Sequence, residues 1–188
     1  GALGGLAPDQ QQAVERSHTA TRHLLELVCD ILDLSKLEAG RIVLHPGEIC
    51  LRRLLDDLMG TMLPLTERYG SRLVLEIPTD VPPLVTDAQR VRQILLNLIS
   101  NAAKFGRSRP IAVRCIPRGE SGVVIEVADE GIGIDNADLE RIFDDFVQVG
   151  SPPETGTGLG LSISRRLANL LEGDLDVEST PGVGSTYR

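Results

Sequence analysis

The sequence has no tryptophan, and aromatic residues make up only 3% of it. That argues against the stacking platforms on which bases or sugars are commonly held. No apolar run approaches the ~18–20 residues of a membrane-spanning helix, and no secretory leader pattern is present. Cysteine is sparse. Cys29, Cys50 and Cys115 are too widely spaced for a zinc pattern and odd in number, so they read as reduced thiols of a cytoplasmic chain. Positive charge is also short: 19 basic against 27 acidic side chains leave a net charge of −8, which argues against bulk nucleic-acid binding. The glycine-rich stretch 156–163 is not followed by the Gly-Lys-Ser/Thr of a Walker loop.

What is present is enough to fold. The chain has 188 residues and is 41% hydrophobic, which suits one core with an appendage. Residues 10–39 contain neither proline nor interior glycine. Leu24, Leu27, Val28, Ile31 and Leu34 fall at helical spacing, and Leu25 and Leu32 widen the stripe. A helix this long with so broad an apolar stripe predicts a bundle or coiled coil between chains. Gly40 is placed to end it, and the domain boundary is set there, giving 1–40 and 41–188.

Beyond the boundary the pattern predicts a short strand at 42–44, a helix over 48–69 kinked or ended early by Pro64, and a strand at 72–77. A loop follows at 79–83, then a strong helix over 87–105. Strands at 111–116 and 123–128 form a hairpin. A loop at 129–134 leads to a short helix at 137–143 and a polar loop at 147–155. A helix over 157–171, capped by Gly173, precedes the last strands at 174–178 and 185–188. Tight turns between strands predict antiparallel pairing, and the interposed helices cover one face. The fold class is α+β: a two-layer sandwich with a mixed, mainly antiparallel sheet, preceded by a long helix from a dimeric bundle.

Three stretches carry chemistry. On the helix over 87–105, Asn97, Asn101 and Lys104 share a face with Arg90 and Gln93. Asparagine prefers caps to helix interiors, and an amide oxygen followed one turn later by a lysine suits Mg²⁺ and phosphate. The other reading is an ordinary solvated face. Asp129-Glu130-Gly131-Ile132-Gly133 follows a strand, where an aspartate can accept from an exocyclic amine; a plain turn explains it as well. Gly156, Gly158 and Gly160 open a helix, which is either a phosphate cradle or simple packing.

Taken together and in this order, these stretches resemble the catalytic ATP-binding domain of sensor histidine kinases, similar in fold to the Hsp90, DNA gyrase B and MutL ATPases. Residues 96–105 (Leu-Asn-Leu-Ile-Ser-Asn-Ala-Ala-Lys-Phe) look like the family's asparagine box. Residues 129–134 look like its first glycine box, 142–148 its phenylalanine box, 156–163 its second glycine box and 182–186 its terminal glycine motif. Upstream, 30–40 (Asp-Ile-Leu-Asp-Leu-Ser-Lys-Leu-Glu-Ala-Gly) resembles the end of the second helix of the dimerisation and histidine-phosphotransfer hairpin.

The resemblance implies ATP and Mg²⁺ as cofactors. Asn101 would ligate the metal, with Asn97 assisting and Lys104 neutralising phosphate charge. Asp129 would read the adenine amine in a pocket lined by Gly131, Gly133, Ile134 and Phe146. Gly156, Thr157, Gly158, Leu159, Gly160 and Leu161 would face the phosphates at the start of a lid helix, and Thr186 would add a polar contact near the base. Gyrase-like relatives carry a water-activating glutamate where this chain has Asn97, which favours transfer to a protein over hydrolysis. The implied partners are a response-regulator receiver domain and a second copy, paired through the helix over 10–39 and a first hairpin helix that is not in this sequence. The competing readings are a gyrase- or Hsp90-type ATPase and a nucleotide-binding regulatory module.

The phosphoacceptor motif of the family is absent. His18, His23 and His45 stand in other contexts and read as surface or packing histidines. The loop over 147–155 is shorter than the family's lid and has no lysine or arginine.

Overall fold

In a computed structural model, the described residues are 7–79, 81, 83–119, 122–149 and 156–188. The chain opens with helix α1, Pro8–Glu38. Pro8 stands at its first position and Asp9 in its first turn, as the orphan N–H groups and the dipole favour. Gly40 takes φ +61°, and the N–H of Arg41 reaches back to the Lys36 carbonyl at 2.9 Å, so the helix ends as expected.

Residues 41–46 form no strand. Val43 is exposed while Ile42 and Leu44 are partly buried, so the stretch alternates without a partner strand among the described residues to pair with. The ribbon lies further on: β1, Gly47–Ile49, pairs antiparallel with β3, Leu84–Thr86. Helix α2, Leu51–Arg68, therefore starts three residues later than expected, and Pro64 does not end it. The carbonyl that Pro64 leaves without a donor belongs to exposed Gly60, where water can satisfy it. Strand β2, Leu73–Glu76, precedes β3. The expected loop at 79–83 and the hairpin turn after Gly119 lie partly outside the described residues.

Helix α3, Ala88–Phe105, is held at its start by Asp87. One carboxylate oxygen accepts from the N–H groups of Gln89 and Arg90 at 2.9 and 3.1 Å, and the other accepts from the N–H of His45 at 2.9 Å. Burial alone pushes this carboxyl up, but the N–H groups of His45, Arg90 and Gln89 outweigh it and hold it below the ordinary aspartate value. Such a group stabilises the fold fully above its unfolded pKa of ~3.9, and that contribution is lost as the pH falls through the lowered folded value. Asp87→Ala is expected to cost about 2–3 kcal/mol, from the lost cap and the stranded His45 N–H. It should also flatten the acid limb of stability against pH in urea titrations.

Strands β4, Ile111–Arg118, and β5, Gly122–Asp129, form the expected hairpin. A 3₁₀ turn, Arg141–Phe143, replaces the expected helix over 137–143. Helix α4, Gly160–Leu170, starts three residues after Thr157, because Gly158 at φ +73° cannot be helical. At its far end Glu172, not Gly173, takes the left-handed turn (φ +62°), and the Gly173 N–H closes onto the Ala168 carbonyl at 2.9 Å. Strands β6, Val177–Thr180, and β7, Gly184–Tyr187, complete the chain.

The main sheet runs β2-β4-β5-β7-β6; β2 is parallel to β4 and the other pairs are antiparallel. One face carries α2 and α3, with Leu55, Leu58, Leu98 and Ile99 packed on Ile111, Val113 and Val127. On the other face, one side chain per strand builds a ladder of alternating charge: Glu178, Arg188, Glu126, Arg114 and Glu76. The outer pairs, Arg188–Glu178 and Arg114–Glu76, involve exposed carboxylates and contribute little energy, whereas Glu126 at the centre is largely buried between Arg188 and Arg114. A second small core joins Leu34 of α1 to Leu159, Ile163 and Leu167 beside α4. The apolar stripe of α1 is thus divided: Leu34 faces inward, while Leu24, Leu25, Val28, Ile31 and Leu32 stay exposed.

Candidate functional site

Helix α3 lies along one wall of a cavity of about 940 Å³, and its polar face supplies Asn97, Asn101 and Lys104 to the lining. Their i, i+4, i+7 spacing puts all three on that wall. At one end β5 delivers Asp129. At the other end the turn before α4 delivers Gly156, Thr157, Gly158 and Gly160, followed by Leu161. The sequence-predicted groups therefore meet around one space, although they span sixty-odd residues.

Asp129 is buried at 9% exposure, and one carboxylate oxygen accepts from the Gly131 N–H at 2.8 Å. Burial raises its pKa, while N–H groups of Gly131 and Ser185 pull it partly back. The loop after it is drawn tightly onto its surroundings. The Ile132 N–H bonds to the Phe105 carbonyl at 3.1 Å, and the Ile132 carbonyl accepts from Gly182 at 2.7 Å. A Cβ on Gly131 would lie 2.0 Å from the Phe105 carbonyl oxygen, and one on Gly133 2.1 Å from that of Thr180. Gly133 and Ile134 line the cavity; Gly131, close behind, does not.

Asn97 is tied to α4. Its amide donates to Ser164 Oγ at 2.9 Å, and its oxygen lies where a Cβ on Gly160 would fall, at 2.2 Å. A side chain at position 160 would therefore displace the Asn97 amide from its place between α3 and α4. The Thr157 hydroxyl accepts from the Leu159 N–H at 3.2 Å and donates to Asp30 of α1 at 2.7 Å.

Three other predicted residues stand outside the lining. Leu159 is fully buried in the second core. Phe146 takes φ +64°, the residue is 61% exposed, and its backbone packs beneath Gly158. Thr186 points to the opposite face of the sheet from its neighbours Ser185 and Tyr187, which do line the cavity. The period of two along β7 held that signal, since Ser185 sits opposite Asp129. Of the predicted lid, 150–155 lie outside the described residues; Gln148 holds the Gly156 carbonyl at 2.7 Å. The wall formed by α1, with Glu26, Cys29 and Asp30, had no local sequence signal.

A cavity of this size, with an amine acceptor at one end, a glycine turn at the other and a lysine on the wall between, is what an adenine nucleotide requires. Residues 86–188 match the family described as histidine kinase-, DNA gyrase B- and HSP90-like ATPase, and the chain belongs to that family. Within it, the chain is similar to the catalytic ATP-binding domain of sensor histidine kinases. The virulence sensor protein BvgS of Bordetella bronchiseptica is 41% identical over 187 residues, which cover 95% of this chain and 15% of that protein. Sensor histidine kinase RcsC of Escherichia coli is 36% identical over 94% of this chain and 19% of its own. The crystal structure of full-length ShkA in complex with AMPPNP matches with a TM-score of 0.84 at 30% identity, over 98% of this chain and 39% of that one. The chain spans 15–25% of the length of the curated relatives it matches. No helix among the described residues is long and apolar enough to cross a membrane.

Proposed function

We propose that this chain binds Mg²⁺-ATP and, within a longer cytoplasmic or membrane-tethered parent, transfers the γ-phosphoryl group to a histidine on a preceding helix. The phosphate then passes to an aspartate of a response-regulator receiver domain. The observation that carries this reading is the cavity itself, with Asp129 at one end, the glycine turn at the other, and Asn101 and Lys104 on the wall of α3 that joins them.

Asp129 accepts the adenine amine, and Lys104 meets phosphate as a point charge. Asn101 supplies an amide oxygen, the hard donor that Mg²⁺ takes. Among the described residues no three carboxylate, histidine or cysteine side chains cluster to cage a metal. That fits Mg²⁺, which relies on phosphate oxygens and water for most of its shell and, when bound, offsets the charge developing between phosphates. Asn97 offers no carboxylate to activate water and is engaged with Ser164, which favours phosphoryl transfer over hydrolysis.

Residues 1–40 form part of the phosphotransfer hairpin, and 41–188 the ATP-binding unit. The exposed face of α1, with Leu24, Val28, Ile31 and Leu32 between 46% and 61% solvent-accessible, is suited to the missing first helix and a second copy.

The test uses a chain extended upstream through the first hairpin helix, incubated with γ-labelled ATP and Mg²⁺. The expected result is acid-labile, base-stable phosphate on a histidine. Free phosphate without phosphoprotein would establish the ATPase reading instead, and nucleotide binding with neither product the regulatory module.

A further inference from the structure

Helix α1 does more than lie beside the ATP-binding unit. Its C-terminal half is fastened to it at four levels. Leu34 is buried against Leu159, Ile163 and Leu167. Glu38 pairs with Arg166 at 3.3 Å, and Arg166 also holds Asp145 at 2.7 Å. Asp33 accepts from the Gln93 amide at 2.9 Å. Asp30 accepts from the Thr157 hydroxyl at 2.7 Å.

The last of these contacts lies inside the site. Asp30 and its neighbour Glu26 line the cavity, and Thr157 belongs to the turn that opens α4. Asp30 is half-buried. Burial raises its pKa, as do the nearby charges of Asp33 and Glu26, while the Thr157 hydrogen bond and the charge of Lys104 act the other way. A carboxylate thus stands at the glycine turn, bonded to its hydroxyl and within the field of Lys104. A polyphosphate entering that end would need the same two groups, and would bring several negative charges against an anion already there.

We propose that Asp30 is an intramolecular competitor of the nucleotide's terminal phosphate, so that triphosphate binding and the docking of α1 oppose each other. The inference rests on the ATP reading above. Its direction follows from linkage: whatever factor α1 docking takes from triphosphate affinity, the triphosphate takes from docking. A diphosphate, with less charge at the turn, is affected less. Weaker docking of α1 with ATP bound would let the ATP-binding unit move more readily relative to the helix that carries Asp30.

The experiment compares the full chain with Asp30→Asn, which keeps an oxygen acceptor for Thr157 but carries no charge. Calorimetry with AMPPNP and with ADP, each with excess Mg²⁺, reads affinity. Asp30→Asn is expected to bind AMPPNP about tenfold more tightly, within the usual range of coupling between two sites, and to change ADP affinity by less. Amide hydrogen exchange on the unmodified chain reads docking independently of any variant. AMPPNP should speed exchange over 25–38, and ADP should do so less. Equal or weaker AMPPNP binding by Asp30→Asn, or no change in exchange while AMPPNP is bound, overturns the competitor role and leaves the ATP reading intact. Failure of the unmodified chain to bind either nucleotide overturns the ATP reading itself.

Discussion

Asp129→Ala should weaken ATP binding by roughly 100-fold or more while leaving the chain folded. A hydrogen bond to a charged acceptor is worth about 1.5–3 kcal/mol, and its loss also strands a buried donor on the ligand. The amine of adenine would face apolar lining with no acceptor to replace water. The fold loses little. Asp129 is the last residue of β5 and is held in register with Ser185 through the backbone. Its carboxylate is already disfavoured by burial, so removing it relieves a desolvated charge. The loss is the carboxylate acceptor of the Gly131 N–H and, in part, of the Ser185 N–H, about 1–2 kcal/mol. Calorimetry with AMPPNP alongside a thermal melt separates the two effects. A variant that binds normally would remove Asp129 from the site. The raised pKa adds a second signature. The carboxylate accepts only when deprotonated, so nucleotide affinity should fall, as pH is lowered, at a higher pH than an ordinary aspartate would give.

Asp129 was legible because it stands in a local motif. So were Asn97, Asn101 and Lys104, whose helical spacing survives intact in α3, and the β4–β5 hairpin, whose alternation matches its burial. What escaped depended on contacts distant in sequence or on very short elements. Strands β1 and β3 are three residues each, too short for any period to show, and Val85 at the centre of β3 is 77% exposed. Ile42, Val43 and Leu44 offered a stronger apolar run and made none of the sheet. Asp30 reaches the site through a partner 127 residues away, a distance no window of sequence spans. The family motif points to Thr186 because it marks the stretch and not the face, and the residue that lines the cavity is its neighbour Ser185. The pairing of β5 with β7, which decides the face, exists only in the folded sheet.

The glycines show how a motif can be right in place and different in cause. Sequence reasoning gives Gly133 to the ligand, so that the backbone can pass close to a base. Gly133 does line the cavity, but its missing side chain also makes room for the chain itself. It sits at φ +68°, and a Cβ there would lie 2.1 Å from the Thr180 carbonyl oxygen and 2.9 Å from the Pro181 Cα, both backbone atoms that cannot swing aside. Gly133→Ala should therefore cost about 3 kcal/mol, 1–2 from the left-handed backbone and the rest from moving the loop. Its melting temperature should drop by roughly 6–12 °C. The displacement would travel, because Ile134 bonds to Ser179, and Ser179 bonds to Ser185 beside Asp129. Nucleotide affinity should fall with stability. Gly156 makes the contrast: its φ is not left-handed, and among the described residues nothing lies within 4 Å of an added Cβ. Gly156→Ala should leave the melting temperature nearly unchanged, within the ±0.5 kcal/mol usual for surface changes. Equal losses at the two positions would mean that the second glycine box is held by backbone strain as the first is. A loss of nucleotide affinity at Gly156 without a loss of stability would instead assign that glycine to the phosphates alone.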